Sequence, residues 1–232
     1  MKHKNIKFQF YFIRHGESES NIESGMAYAN DHNAPLTKRG HEQSLALGKR
    51  LKNSEITFDK IYSSTLTRAI ETTTNMLKGM ELNYEKFEKF DHIIEQQIPG
   101  WRGKKFDEVM TPEILLLSEQ KGKWFQPADG ESGRQVERRA SNWLEDEFLD
   151  NPKWLDKKGI YNIAIISHGI TLRCIFHYIT GWDTKMMKSS YSQILNCSIS
   201  RFNFGPLGWE IISFNDSYHT EKIGDIITDK LK

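Results

Sequence analysis

Apolar residues along this chain recur with two different spacings, and the alternation of these spacings predicts strands and helices in turn. Between residues 7 and 13, aromatic residues and isoleucine form a compact apolar run that suits a pleated strand. Between residues 36 and 51, leucines fall close to one stripe at helical spacing, and Thr37 is in position to cap that helix. The same criteria predict strands at residues 7–13, 60–62, 87–94, 161–167, 197–204 and 209–214, and helices at residues 36–51, 65–77, 112–120, 133–149 and 170–178.

Strands that alternate with helices indicate an α/β fold. We expect a three-layer α/β/α arrangement, in which a mostly parallel central sheet carries helices on both faces. The last two strands flank a Gly-Pro-Leu-Gly turn, so they are predicted to form an antiparallel hairpin. No Pro/Ser-rich linker divides the 232 residues, and a single domain over residues 1–232 is expected. The irregular segment 99–127 is expected to be a lid-like insertion that covers a site.

Composition narrows the classes of partner. The chain has 32 Lys and Arg against 31 Asp and Glu, a formal charge of +1, which argues against a globally basic nucleic-acid binder. It lacks the run of roughly 18 apolar residues that a membrane span needs. Its two cysteines, Cys174 and Cys197, are too few for a disulfide framework and favour a reducing compartment. We therefore expect a cytoplasmic protein that binds neither nucleic acid nor membrane.

The candidate chemistry lies directly after the predicted strands, where α/β sheets bind their ligands. Arg14 and His15 follow the first strand, Arg68 follows the second closely, and His168 follows the most apolar strand. The topology would bring these two imidazoles and two guanidiniums to one rim of the sheet.

This cluster has three possible interpretations. A single histidine at a strand end is more often a structural residue than a catalyst. A zinc site needs a third ligand, which is not evident from the spacing, and two arginines would repel the cation. An anion fits better, because guanidinium forks match phosphate oxygens and a glycine after each histidine lets backbone amides approach. The residues favour a phosphate pocket that contains a histidine, with no metal and no cofactor.

Several short motifs, in order along the chain, resemble the histidine phosphatase superfamily of branch 1 type, which includes the phosphoglycerate mutases. The motif Arg14-His15-Gly16-Glu17-Ser18 and the later Ser167-His168-Gly169 carry the resemblance. It implies a phosphoglycerate mutase-like fold. Further matching positions are Asn21, Leu36-Thr37, Gly40, Gln43, Ser63-Ser64-Thr65-Leu66, Arg68-Ala69, Glu71-Thr72, Gly130-Glu131-Ser132, Arg139 and Asn196-Cys197.

The resemblance implies a covalent mechanism. His15 would attack phosphorus and form a phosphohistidine, while Arg14, Arg68 and His168 would hold the phosphoryl oxygens. The other implied substrate-binding positions are Asn21, Gly16, Ser18 and Gly169, and at the two glycines a side chain is expected to crowd the site.

The leaving alkoxide needs a proton, and the resemblance points to Glu95 as its source. In the family the acid precedes a Trp-X-Gly element by six residues, and counting back from Trp101 gives Glu95. This chain departs from the family pattern at Pro99, two positions before that tryptophan. The structural alternative is a surface glutamate at the end of a strand.

The resemblance leaves phosphatase and mutase open. Phosphoglycerate mutases follow their acid with Arg-His-Tyr-Gly, whereas here Glu95 is followed by Gln96-Gln97-Ile98-Pro99. We expect a metal-independent phosphatase that acts on a small phosphorylated substrate. The alternatives are a phosphoglycerate mutase-type phosphotransferase and a binding module without turnover. Selectivity is expected to reside in the 99–127 insertion, and no chemical role is assigned to His219.

Overall fold

A six-stranded mixed sheet forms the centre of the computed structural model, which describes residues 4–22, 26–27, 33–83, 86–181 and 193–224. Its strands are β1 (Ile6–Arg14), β2 (Lys60–Ser64), β3 (Glu88–Phe90), β4 (Gly159–Ser167), β5 (Ile199–Gly205) and β6 (Gly208–Asp216). They lie in the order β3-β2-β4-β1-β5-β6. Strands β3, β2, β4 and β1 run parallel, and the hairpin β5–β6 adds antiparallel strands beside β1. The predicted α/β fold with a mostly parallel sheet is confirmed.

The helices occur between the strands, as the pattern predicts. They are α1 (Glu19–Ile22), α2 (Lys38–Asn53), α3 (Thr67–Gly79), α4 (Phe106–Val109), α5 (Pro112–Lys121), α6 (Gly133–Leu144) and α7 (Gly169–Thr180). Thr37 caps α2, because its hydroxyl oxygen accepts a hydrogen bond from the Gly40 amide at 3.0 Å. Within the described part of the chain, no helix has the length and apolar character to cross a membrane.

Strand β1 separates two cores and so defines the three layers. On one face Phe8, Phe10 and Phe12 are buried in a cluster that also contains Leu144 of α6 and Phe176 of α7. Its opposite face packs against residues of α2 and α3, in a second cluster that includes Tyr11, Ile13, Leu47, Leu51, Met76 and Leu77. The alternation of side chains along a strand therefore feeds both layers of helices.

Helices α2 and α3 approach each other closely at two glycines. A Cβ atom on Gly48 would lie 2.1 Å from the Met76 carbonyl oxygen, and one on Gly79 would lie 2.5 Å from the Leu45 carbonyl oxygen. Both distances are far below van der Waals contact. The absence of side chains at these two positions lets the helices pack backbone against backbone.

Two predicted elements differ from the structure. The predicted helix 133–149 is α6 followed by one π-helical stretch, Glu145–Leu149, in which Phe148 packs against Phe8 and Phe10. The predicted strand 87–94 is wrong beyond β3, since residues Asp91–Ile93 form a 3-10 turn. The Ile93 carbonyl accepts a hydrogen bond from the Ser167 hydroxyl at 2.7 Å, which ties this turn to the end of β4.

Residues 99–127 contain short helical elements. Helix α5 confirms the helix predicted at residues 112–120, and Thr111 caps it. Segment 26–27 lies against this insertion, because Met26 pairs with Lys105 and the Ala27 amide donates to the Lys104 carbonyl at 2.8 Å. The lid function of the insertion stays a prediction, as does the single domain.

Candidate active site

The structure brings the predicted catalytic side chains together at the carboxyl end of the parallel strands. Arg14 ends β1, His15 follows it, Arg68 lies in the first turn of α3, and His168 follows β4. The rings of His15 and His168 are 5.0 Å apart between centroids, and Arg68 Nε lies 3.3 Å from His15 Nε2. All three of these side chains are at least 98% buried. The predicted cationic rim is therefore a buried pocket.

The hydrogen bonds of His15 determine which nitrogen carries its proton. Nδ1 lies 2.6 Å from the Gly16 carbonyl oxygen, which can only accept, so the hydrogen is on Nδ1. The lone pair is then on Nε2, where it accepts from Arg68 Nε. The backbone is held as well, because the His15 amide donates to the Ser167 carbonyl at 3.0 Å. Nε2 is thus the ring nitrogen that carries the lone pair, on an imidazole held in one orientation.

Burial governs the charges in the pocket. Loss of solvent, followed by the charges of Arg68 and Arg14, lowers the pKa of His15 well below its usual value of 6.5. The pKa of His168 is lowered in the same way, first by burial and then by the charge of Arg68. Burial also lowers the pKa of Arg68 to about 10, which leaves it cationic at neutral pH. The pocket therefore combines neutral imidazoles with cationic guanidiniums.

His168 offers a buried polar atom to a ligand. Its Nε2 is 2.7 Å from Ser64 Oγ, an oxygen that also accepts from the Leu66 amide at 3.2 Å. The serine hydroxyl can then donate to Nε2, which favours the tautomer with hydrogen on Nδ1. That Nδ1 atom is buried and has no hydrogen-bond partner among the residues that the structure describes. A buried donor of this kind normally has an acceptor, and phosphate oxygen would supply it.

Arg14 and Asn21 are oriented by residues distant in sequence. Arg14 Nη1 donates to the Ile194 carbonyl at 2.6 Å. The Asn21 side-chain oxygen accepts from the Ser18 amide at 3.1 Å and from Asn196 Nδ2 at 3.3 Å, so its NH2 group points away from these donors. The Ser18 hydroxyl also bonds the Asn21 oxygen, so the structure places Ser18 as a support for Asn21. Direct contact of Ser18 with a ligand stays a prediction.

Glu95 lies at the N-terminus of α7, and only 7% of its surface is exposed. Its carboxylate oxygens accept from the amides of Ile170 and Thr171, each at 3.2 Å, and from the Gln96 amide at 2.9 Å. Burial lowers the pKa of the Arg68 guanidinium, and the nearby charge of Glu95 raises it by a smaller amount. The alternative of a surface glutamate at a strand end is therefore wrong.

A partly buried ion pair supports the segment that carries Glu95. Arg139 binds the Glu131 carboxylate with two nitrogens, at 2.8 and 3.0 Å, and donates to the Glu95 carbonyl at 3.0 Å. Glu131 in turn accepts from the Gln97 amide at 2.9 Å. The sequence motifs include Glu131 and Arg139, but their link to Glu95 is visible only in the structure.

The two site glycines differ in what a side chain would meet. A Cβ on Gly16 would lie 2.7 Å from the Gly40 carbonyl oxygen, so the obstacle is helix α2 and the prediction that it would crowd the site is corrected. A Cβ on Gly169 would lie 3.5 Å from Arg14 Nε, an ordinary contact on the site side. The Gly16 amide donates to Thr72 Oγ1 at 2.9 Å, which fixes the peptide that follows the nucleophile.

Sequence reasoning assigned no role to several of these supporting residues. Thr72 lies four residues after Arg68 and hence on the same face of α3, a spacing that could have indicated it. Ser64 ends β2 in the same way as Arg14 ends β1. Ile194 contributes only its carbonyl oxygen, which has no signature in sequence.

The site contains donors suited to an anion. Within the described residues, no group of three or more His, Cys, Asp or Glu side chains is arranged to hold a metal ion. Arg68 Nε instead contacts His15 Nε2, the His168 ring lies 5.0 Å from the His15 ring, and the charge of Arg14 acts on His15.

A model of the histidine phosphatase superfamily (branch 1) matches residues 10–217. This chain belongs to that superfamily. Among curated relatives, 2,3-bisphosphoglycerate-dependent phosphoglycerate mutase from Streptococcus pneumoniae is 28% identical over 225 residues, which cover 86% of this chain and 91% of the relative. The predicted membership of the superfamily is confirmed, while the roles of the individual site residues stay predictions.

Solved structures of histidine phosphatase-like proteins share the fold. YhfR from Bacillus stearothermophilus superimposes with a TM-score of 0.75 at 22% identity, over 92% of this chain and all of that one. A mutant phosphoserine phosphatase from Entamoeba histolytica, in complex with phosphoserine, gives 0.72 at 22% identity, over 91% and 98% of the two chains. Phosphoglycerate mutase from Bacillus anthracis gives 0.71 at 22% identity, over 95% and 98%. The phosphoglycerate mutase-like fold is thus confirmed.

Proposed function

We propose that this histidine phosphatase family member hydrolyses phosphomonoesters of a small metabolite through a phosphohistidine on His15. The observation that carries the proposal is the fixed imidazole, with hydrogen on Nδ1 and a lone pair on Nε2 beside Arg68. A neutral nucleophile surrounded by cationic donors suits attack on a phosphate dianion. The phosphoserine phosphatase among the structural neighbours is in keeping with this chemistry.

In the first proposed step, His15 Nε2 attacks phosphorus as the bond to the ester oxygen breaks. Glu95 takes up a proton when the anionic ester binds beside it and gives that proton to the ester oxygen, so the product leaves as a neutral alcohol. Arg14, Arg68 and His168 stabilise the three oxygens that carry charge in the transition state. In the second step, water attacks phosphorus, Glu95 takes a proton from it, and the phosphorus–nitrogen bond breaks. Inorganic phosphate and neutral His15 result, without a metal ion.

Contacts after Glu95 favour hydrolysis over phosphoryl transfer to a second substrate. Gln96 Nε2 donates to the Glu131 carbonyl at 2.6 Å, and Gln97 Nε2 donates to the Glu95 carbonyl at 2.9 Å. Both side-chain amides are thus engaged by backbone oxygens. They are poorly placed to retain a phosphorylated intermediate in the manner of a mutase, so water is the expected acceptor.

Phosphate release from p-nitrophenyl phosphate, phosphoserine and 3-phosphoglycerate tests the proposal. The wild type should turn over at least one of them in the presence of EDTA. His15→Ala should lower kcat at least about 1000-fold, because the nucleophile is lost. A matched control is His41→Ala, which changes an exposed histidine of α2.

The outcomes separate the candidate functions. Equal release by wild type and His15→Ala would end the phosphatase proposal, and loss of activity in EDTA would end its metal independence. Conversion of 3-phosphoglycerate to 2-phosphoglycerate in an enolase-coupled assay would support the mutase, in line with the Streptococcus pneumoniae relative. Phosphate binding without turnover would support the binding module.

We propose the cytoplasm as the compartment of this enzyme. Cys174 and Cys197 are both buried and are not joined in a disulfide, as expected in a reducing environment. Fractionation of cells that express the full chain tests this location, and recovery of the protein with membranes or outside the cell would contradict it.

A further inference from the structure

His219 is held on both ring nitrogens by groups outside the phosphate pocket. Arg50 Nη1 lies 3.1 Å from Nδ1, and the Cys197 carbonyl oxygen lies 3.0 Å from Nε2. A guanidinium only donates and a carbonyl only accepts, so Nδ1 is the acceptor and Nε2 carries the hydrogen. Asp216 fixes the guanidinium with two hydrogen bonds, at 2.8 and 2.5 Å. The orientation and the tautomer of His219 are both determined.

The Cys197 backbone that His219 binds has an uncommon conformation. Its φ angle is +56°, in the left-handed region that residues other than glycine rarely adopt. Its amide donates to the carbonyl oxygens of Arg14 and His15, at 3.0 and 3.3 Å. Such a conformation persists where neighbouring contacts hold it. Here Arg14 and His15 hold the amide side of Cys197, and His219 holds the carbonyl side.

The rest of the same loop contacts the pocket directly. We call residues 194–197 the clamp loop. Its Ile194 carbonyl accepts from the Arg14 guanidinium, and Asn196 Nδ2 donates to the His15 carbonyl at 3.0 Å and to the Asn21 side-chain oxygen at 3.3 Å. The clamp loop therefore fixes the positions of three groups, which are the guanidinium of Arg14, the backbone of His15 and the amide of Asn21.

We propose that His219 is a positioning residue for the phosphate site, which it orders by holding the clamp loop through the Cys197 carbonyl. The inference rests on the proposed function and adds a residue to it. Burial, followed by the charge of Arg50, lowers the pKa of His219 to about 4. At neutral pH the imidazole therefore keeps the lone pair that accepts from Arg50.

His219→Leu removes both hydrogen bonds and tests the proposal. We expect kcat for phosphomonoesters to fall roughly 10- to 100-fold, with a smaller change in KM, because small displacements of reacting groups slow the chemistry more than they weaken binding. The affinity for orthovanadate, measured by calorimetry, should fall along with kcat. Thermal melting of each variant gives the folded fraction, to which kcat is normalised.

His219→Gln is the conservative variant, since its amide offers a donor to Cys197 and an acceptor to Arg50. We expect it to recover kcat to within about threefold of the wild type. His41→Leu on α2 is the control for loss of an imidazole and should keep full activity. A folded His219→Leu with wild-type kcat, or a folded His219→Gln no better than His219→Leu, would overturn the inference.

Failure of the proposed function gives a different result. A wild type that binds orthovanadate but releases no phosphate would end the phosphatase proposal. The vanadate affinities then decide the positioning role by themselves. Weaker binding in His219→Leu that His219→Gln restores supports the role, and equal binding in all three proteins overturns it.

Discussion

Single contacts set the protonation of each reacting group in the pocket. The Gly16 carbonyl assigns the hydrogen of His15 to Nδ1. Ser64 occupies Nε2 of His168, and Nδ1 of that ring has no hydrogen-bond partner among the described residues. Burial lowers the pKa of both histidines and keeps their imidazoles neutral. The tautomers of both rings are thus fixed by contacts within the protein itself.

Glu95→Gln tests the proposed role of Glu95 as proton donor. The substitution keeps the size of the side chain but removes the proton that the leaving group needs. We expect kcat for an alkyl phosphate to fall by a factor of about 100 to 10,000. The loss on p-nitrophenyl phosphate should be much smaller, because p-nitrophenolate leaves without a proton. Steady-state rates on the two substrates measure the difference.

Glu42→Gln is the control for this experiment, since Glu42 is exposed on α2, and both of its rates should equal those of the wild type. Equal losses on the two substrates in Glu95→Gln would mean that Glu95 acts through structure alone. The role of acid would then pass to another group.

Helices and strands position these residues. Where helices α2 and α3 cross, their packing leaves no room for a side chain on the contacting glycines. A Cβ atom on Gly48 or on Gly79 would overlap backbone atoms of the opposite helix. Helix α2 also carries Gly40, whose carbonyl oxygen lies close to Gly16, the residue next to His15. Separation of α2 from α3 would therefore disturb the Thr72–Gly16 hydrogen bond that spans α3 and the site.

Gly48→Ala should lower the free energy of unfolding by about 1–3 kcal/mol, because the new methyl group would overlap the Met76 carbonyl. Urea denaturation measures this change. Gly133→Ala is the matched control, since a Cβ there has only ordinary contacts at 3.5 Å and alanine favours the helix. An equally stable Gly48→Ala protein would show that the helices can separate at no cost.

Periodicity predicted the elements well where their residues pack on one regular face. The 7–13 and 161–167 runs are β1 and β4, and Thr37 caps α2 as expected. The 87–94 prediction failed because the turn after β3 is stabilised by a hydrogen bond from Ser167, distant in the chain. In the same way, the hydrogen bond from Arg14 to the Ile194 carbonyl depends on the path of the backbone, which side-chain patterns do not encode.

At the scale of the whole molecule, buried histidines couple folding to pH. Burial lowers the pKa of His15, His168 and His219 from 6.5 in the folded state. The unfolded chain therefore binds more protons than the folded chain as the pH falls below about 6.5. The three histidines therefore leave the free energy of unfolding unchanged well above pH 6.5 and reduce it at lower pH.

We expect the free energy of unfolding to decrease from pH 7.5 to pH 5.5, with each of the three histidines adding a slope of up to about 1.4 kcal/mol per pH unit. Urea denaturation at several pH values measures the slope, and His219→Gln should make it shallower by removing one proton uptake. Identical slopes in the wild type and in His219→Gln would contradict the prediction that His219 takes up a proton on unfolding.

The position of β1 has a consequence for the order in which the protein matures. It precedes the other five strands of the sheet along the chain, yet its two neighbours in the sheet are β4 and β5, which lie about 150 residues or more further along. The clamp loop and His219 come later than β4 as well. A nascent chain on the ribosome therefore holds Arg14 and His15 without a pocket around them. The site around Arg14 and His15 is therefore complete only after the β5–β6 hairpin has docked beside β1.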